Sequence, residues 1–156
     1  MTLVPKHIKN LLPYKPGMNI EDVKSQYNLK KIIKLASNEN PLGPSPFALE
    51  RVRNCLQNCH RYPDSSGSLL RNKLALNFNL KLENVIIGNG SEGIMSAIIR
   101  TFLSEKDELI SAENSFIGFR VLANSSGKKV NWVKMKKYKY DLNSIFKKIN
   151  TFTKII

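Results

Sequence analysis

After residue 85, short apolar runs alternate with helical patterns of apolar and polar residues. A strand at Val85-Ile86-Ile87 breaks into Gly88-Asn89-Gly90-Ser91-Glu92-Gly93, and then Ile94, Met95, Ile98, Ile99 and Phe102 recur on one face of a helix over 91–103. The alternation continues with a strand at 108–111, a helix at 116–126, a strand at 129–134, a helix at 142–149 and the opening of a strand at 153–156. Gly127 is placed to cap the second of these helices. Strands alternating with helices predict crossover units on a mostly parallel sheet, an α/β fold.

The first half is less regular. Pro5, Pro13, Pro16 and Gly17 forbid a continuous helix and predict an extended arm. Asn19 is placed to cap a short helix with Ile20, Val23 and Tyr27 inward. Ile32-Ile33-Lys34-Leu35 reads as a strand, and 37–46 carries too many prolines for regular structure. Ser45 and Pro46 suit the N-cap and first position of a helix whose inward face is Ala48, Leu49, Val52, Cys55, Leu56 and Cys59. A turn at Arg61-Tyr62-Pro63-Asp64 leads to a further helix through Leu69, Leu70, Leu74 and Leu76.

The 156 residues, 42% hydrophobic, suffice for one domain with a core. No apolar run approaches the roughly 20 residues that span a bilayer, and the start lacks a signal-peptide pattern, so a cytoplasmic protein with no membrane partner is expected. The net charge of +13 is uneven, with nine Lys and one acid in residues 128–156. Tyrosines between lysines at 134–140 could hold nucleic acid, a binding that salt would weaken steeply. A solvated loop between a strand and a helix, in a Lys-, Asn- and Ile-rich chain, is the preferred account of the tract, and no nucleic-acid partner is expected. Cys55 and Cys59 fall short of a zinc set and are expected as free thiols packed on the core, in a reducing compartment.

The glycine-rich turn at a helix start carries the clearest chemistry. The first N–H groups of a helix lack internal partners and its dipole favours negative charge, so a phosphate is expected there. Gly88-x-Gly90-x-x-Gly93 also matches the dinucleotide fingerprint, with Glu113 twenty residues after Gly93 in the ribose-binding position. From the residues alone, the phosphate could belong to a nicotinamide dinucleotide of an oxidoreductase or to another small molecule.

Three segments in order resemble one family. Leu35-Ala36-Ser37-Asn38-Glu39-Asn40-Pro41-Leu42-Gly43-Pro44-Ser45-Pro46, Arg61-Tyr62-Pro63-Asp64 and Gly88-Asn89-Gly90-Ser91-Glu92 are similar to histidinol-phosphate aminotransferases, among the fold-type I pyridoxal-phosphate enzymes. The arm motif Leu12-Pro13-Tyr14-Lys15-Pro16-Gly17 fits as well. The resemblance implies an arm and small-domain segment at 1–35, followed at 36–156 by the first, incomplete part of a three-layer α/β/α large domain. It implies a homodimer moving an amino group between histidinol phosphate and 2-oxoglutarate, in histidine biosynthesis. Threonine-phosphate decarboxylases and aromatic aminotransferases share these motifs.

By the same resemblance, Gly90, Ser91 and Glu92 hold the phosphate of pyridoxal phosphate, with Glu92 where the family usually has Asp. Phe116 stacks on the cofactor ring, Tyr62 reaches the phosphate of the neighbouring subunit, and Tyr14, Asn38 and Glu39 face substrate. The Schiff-base lysine is expected beyond Ile156, since no lysine here lies in a matching motif. The strand opening at the chain's end likewise implies a fragment, inactive alone and binding the cofactor weakly or not at all.

Overall fold

The computed structural model describes residues 3–11 and 17–156. They divide into two compact units: Met1–Tyr14 with Leu80–Ile156, and Lys15–Asn79.

The larger unit is built on three parallel strands, β1 (Glu108–Ala112), β2 (Lys129–Val133) and β3 (Thr153–Ile155), in the order β2-β1-β3. Glu-Leu-Ile-Ser-Ala can be the central strand because Leu109, Ile110 and Ala112 are buried, the pattern of a strand covered on both faces. Among the described residues this unit holds the α-helices α1 (Lys6–Lys9), α5 (Gly90–Phe102), α6 (Ile117–Ser125) and α7 (Leu142–Lys148), with a 3₁₀ turn at Leu82–Asn84. α6 connects β1 to β2, and α7 carries the chain back past β1 to β3. Crossovers of the usual hand running in opposite directions put α6 and α7 on opposite faces of the sheet.

The core lies where α5 and α6 meet the sheet: Ile99, Leu103, Leu109 and Ala123, with Phe119, Leu122, Val130 and Ile155 packed around them. Phe102, expected inward, is 62% exposed, and Leu103 is buried instead because the helix ends there and the chain turns toward β1. Beyond α6, Gly127 (φ 66°) donates to the Asn124 carbonyl and Lys128 to the Ala123 carbonyl, both at helix-closing positions. At the start of β1, Glu108 is buried and accepts from the Lys129 ammonium, Asn131 Nδ2 (2.6 Å) and Asn150 Nδ2 (3.2 Å). The Lys129 hydrogen bond, followed by the two amides, pulls its carboxyl down to about 2. That carboxylate ties β1 to β2 and to the turn before β3.

The smaller unit holds α2 (Ile20–Tyr27), α3 (Pro46–Cys55) and α4 (Ser68–Phe78). Asn19 Oδ1 accepts from the Asp22 N–H at 2.8 Å, as its capping position requires, whereas Ser45 precedes α3 without a side-chain cap.

Several expectations are corrected here. Residues 32–35 and 85–87 form no strand: Val85 has extended dihedrals (φ −113°, ψ 120°), but its N–H donates to the Leu82 carbonyl and 85–87 is not in the sheet. An apolar run becomes a strand only when a ladder receives it. The helix expected to carry both cysteines stops at Cys55 and tightens to a 3₁₀ turn over Leu56–Asn58. Both thiols are exposed, not packed on a core, as are Leu49, Val52 and Leu56. In α2 and α4, Ile20, Tyr27, Leu69, Leu70 and Leu76 are likewise exposed, and Ala75 is buried. The apolar stripes are real, but no core of the smaller unit covers them. No helix among the described residues is long and apolar enough to cross a membrane.

Candidate functional site

The glycine turn folds as its residues dictate. Gly90 sits at φ 68°, a left-handed conformation that costs a side-chain-bearing residue about 1 kcal/mol, and its N–H donates to the Gly88 carbonyl at 2.9 Å. This kink turns the chain directly into α5. The first bond of the helix runs from the Gly93 N–H to the Asn89 carbonyl, and Asn89 places no side-chain cap. The N–H groups of Ser91 and Glu92 therefore precede the helical ladder. Both residues are exposed, and a Cβ at Gly90 would meet nothing within 4 Å, so the approach is open. Two N–H groups ahead of the ladder, at the positive end of a 13-residue helix, are suited to receive an anion.

Phe116 lies at the N-cap of α6 and is 60% exposed. A Cβ at Gly118 would stand 2.4 Å from the edge of that ring and 3.0 Å from the Met95 methyl. The ring thus rests where a side chain at 118 would be, and Met95 of α5 touches the same spot. One turn further along α5, Ile99 shares the core cluster with Ala123 of α6. Early residues meet early ones and late meet late, so the two helices run in the same direction with their starts at one end. Glu92 precedes Met95 by three residues, a rise of about 4.5 Å. The structure therefore brings Gly90, Ser91, Glu92 and Phe116 together at one end of a helix pair.

The other predicted residues lie in the smaller unit or outside the described residues. Tyr62 is fully exposed, ahead of a turn in which Asp64 accepts from the N–H groups of Ser68 (2.8 Å) and Ser66 (2.9 Å) and from both hydroxyls. Those bonds, Ser68's first, hold the Asp64 carboxyl well below the usual carboxylate range. Asn38 is exposed in a left-handed conformation (φ 50°), and the Glu39 carboxylate is paired with the Lys34 ammonium. Tyr14 lies outside the described residues.

Glu113, the residue the dinucleotide reading needed, directly follows β1, and its carbonyl accepts from Arg120 Nη2 at 2.9 Å. That reading requires a sheet strand ahead of the glycines, which 85–87 does not supply. The sequence reading passed over Gly118 and Arg120. A glycine inside an apolar helical pattern was the one available sign of close packing at 118.

The site's residues suit a compact anion attached to a flat ring, phosphate at the helix start and ring beside Phe116. The family model for aminotransferase class I and II matches residues 30–156. The chain is 39% identical over its whole length to a histidinol-phosphate aminotransferase of Anaeromyxobacter sp. and 36% identical over 98% of it to that of Bacillus subtilis. It spans 43% of each relative's length. Among solved structures, it superposes on the Sinorhizobium meliloti histidinol-phosphate aminotransferase in complex with pyridoxal-5'-phosphate with a TM-score of 0.78 (21% identity; 93% of this chain, 38% of that one). Tyrosine aminotransferase from Leishmania infantum gives 0.71 (18% identity; 98% of this chain, 44% of that one). At those identities the likeness establishes the fold, that of part of the α/β domain of these enzymes.

Proposed function

This chain belongs to the aminotransferase class I and II family, and we propose that it is the N-terminal part of a pyridoxal-phosphate-dependent histidinol-phosphate aminotransferase. What supports this reading is the shared end of α5 and α6, which carries both the N–H groups ahead of the α5 ladder and the exposed Phe116. In this reading the Ser91 and Glu92 N–H groups bind the cofactor phosphate. Gly90 keeps the turn tight, the Ser91 hydroxyl lies within the same turn, and Phe116 flanks the ring. The cofactor supplies the electron sink that labilises the bond at the substrate's amine-bearing carbon.

Tyr62 is read as reaching the phosphate of a neighbouring subunit in a homodimer, since a rigid turn presents its phenol to the outside. Asn38, Glu39 and Tyr14 are assigned to the substrate side, with Lys34 holding the Glu39 carboxylate. Histidinol phosphate as amino donor is supported by the names of the relatives, and 2-oxoglutarate is read as the acceptor.

Titration of the isotope-labelled chain tests the site. Pyridoxal phosphate at millimolar concentration should shift the Ser91 and Glu92 amides and the Phe116 ring, without the visible band of a lysine-bound cofactor. Shifts produced by NAD and not by pyridoxal phosphate would overturn the assignment.

A further inference from the structure

A phenylalanine that is 60% exposed gains little from packing, so the position of its ring is set largely by the backbone that carries it. We propose that Arg120 is a positioning residue that clamps the turn between β1 and α6 and thereby sets Phe116; this rests on the reading of Phe116 as the ring-facing residue.

The turn from Ala112 to Phe116 is tied at nearly every step. The Glu113 N–H donates to the Val133 carbonyl at 2.9 Å, and the Glu113 carbonyl accepts from Arg120 Nη2 at 2.9 Å. The Ser115 hydroxyl donates to the Ala112 carbonyl at 2.7 Å and stands 3.1 Å from the Ser111 hydroxyl, while the Ser115 N–H donates to the same carbonyl at 3.2 Å. Arg120 reaches this turn from the body of α6. Its guanidinium carbon lies 4.5 Å over the centre of the Trp132 ring, so the fork is held from below while one arm grips Glu113. Trp132 is itself fixed: it pairs with Ser111 in the β1–β2 register, and its carbonyl accepts from Lys148 Nζ at 2.6 Å. A planar guanidinium can stack and donate in one geometry, which an ammonium cannot. From the clamped turn the chain leaves extended at Phe116 (φ −57°, ψ 126°) and lays the ring over Gly118.

Amide hydrogen exchange on the whole chain tests the clamp. Arg120→Met keeps the aliphatic stem, and it should speed exchange at Glu113 and Ser115 by about tenfold, the loss of one charge-assisted hydrogen bond. Leu109 and Ile110 should stay as they were, and the nuclear Overhauser effect between the Phe116 ring and Gly118 should weaken. Arg120→Lys should fail to restore either signal, and Trp132→Phe should reproduce the selective pattern in weaker form. Unchanged exchange at Glu113 and Ser115, or equal acceleration along all of β1, would overturn the proposal. If Arg120→Met does not fold, Trp132→Phe decides alone: selective loosening supports the clamp and uniform loosening refutes it. Failure of the cofactor reading is separate, because it would leave this exchange pattern in place and appear only as Ser91 and Glu92 amides that pyridoxal phosphate does not shift.

Discussion

Replacing Ile99 by alanine tests where the core of the larger unit lies. Ile99 has no exposed surface, and its side chain is enclosed by Leu103, Leu109 and Ala123. Removing three carbons at about 0.8 kcal/mol each costs about 2.4 kcal/mol in lost burial. The space vacated is about 80 Å³, and if none of it collapses the void adds about 2 kcal/mol. The expected loss is therefore about 2.5–4.5 kcal/mol, a large share of the roughly 5–15 kcal/mol that holds a domain folded. Trp132 is the chain's one tryptophan and sits on β2, so urea unfolding followed by its fluorescence reports on this unit. With a slope of about 1.5 kcal/mol per molar, the midpoint should fall by about 2–3 M. Phe102→Ala is the control, because Phe102 belongs to the same apolar stripe and is the larger residue, yet is 62% exposed. It should move the midpoint by under about 0.7 M, in line with its partial exposure. A midpoint that falls as far for Phe102→Ala as for Ile99→Ala would refute this placement of the core.

Two further outcomes follow from the same geometry. Gly90→Ala forces a side chain into the left-handed region; it should lower the urea midpoint by under about 1 M and at the same time abolish the pyridoxal-phosphate shifts at Ser91 and Glu92. Retained shifts would mean that the anion seat does not depend on the left-handed turn at Gly90. Acid should destabilise the larger unit through Glu108. Its carboxyl is depressed to about 2 by Lys129, Asn131 and Asn150, so its contribution is complete above the ordinary glutamate value of 4.5 and is lost as pH falls toward 2. The depressed Asp141, held by Ser144 at the start of α7, acts in the same direction. Unfolding midpoints measured from pH 5 to 2 should fall steeply, and Glu108→Gln should flatten that fall; an equally steep fall in the variant would refute the assignment.

The second half of the chain could be read from its residues with small errors. Helix 91–103 forms as Gly90–Phe102, and the strands at 108–111, 129–134 and 153–156 form within a residue or so of where they were expected. These elements carry their own periodicity, and each finds its partner within the chain. The Gly90 kink was equally legible, because a left-handed turn at a helix start demands glycine wherever it occurs. The first half misled for the opposite reason. Ile32–Leu35 and the faces of α3 and α4 carry apolar patterns, as does Val85–Ile87 at the opening of the second half, but a pattern states only that a surface prefers cover. Whether a ladder or a core receives it depends on other segments.

What the sequence determined unaided was therefore local: the caps, the glycine turn and the alternation that makes an α/β unit. Tertiary structure alone decided that β1 is central, that Leu103 and not Phe102 closes the core, and that α5 and α6 start at the same end. It also set the Arg120 guanidinium between a carbonyl seven residues away and a tryptophan on the next strand. Local preference is written in neighbouring residues, whereas direction, register and contact between distant segments are fixed only when the whole unit packs.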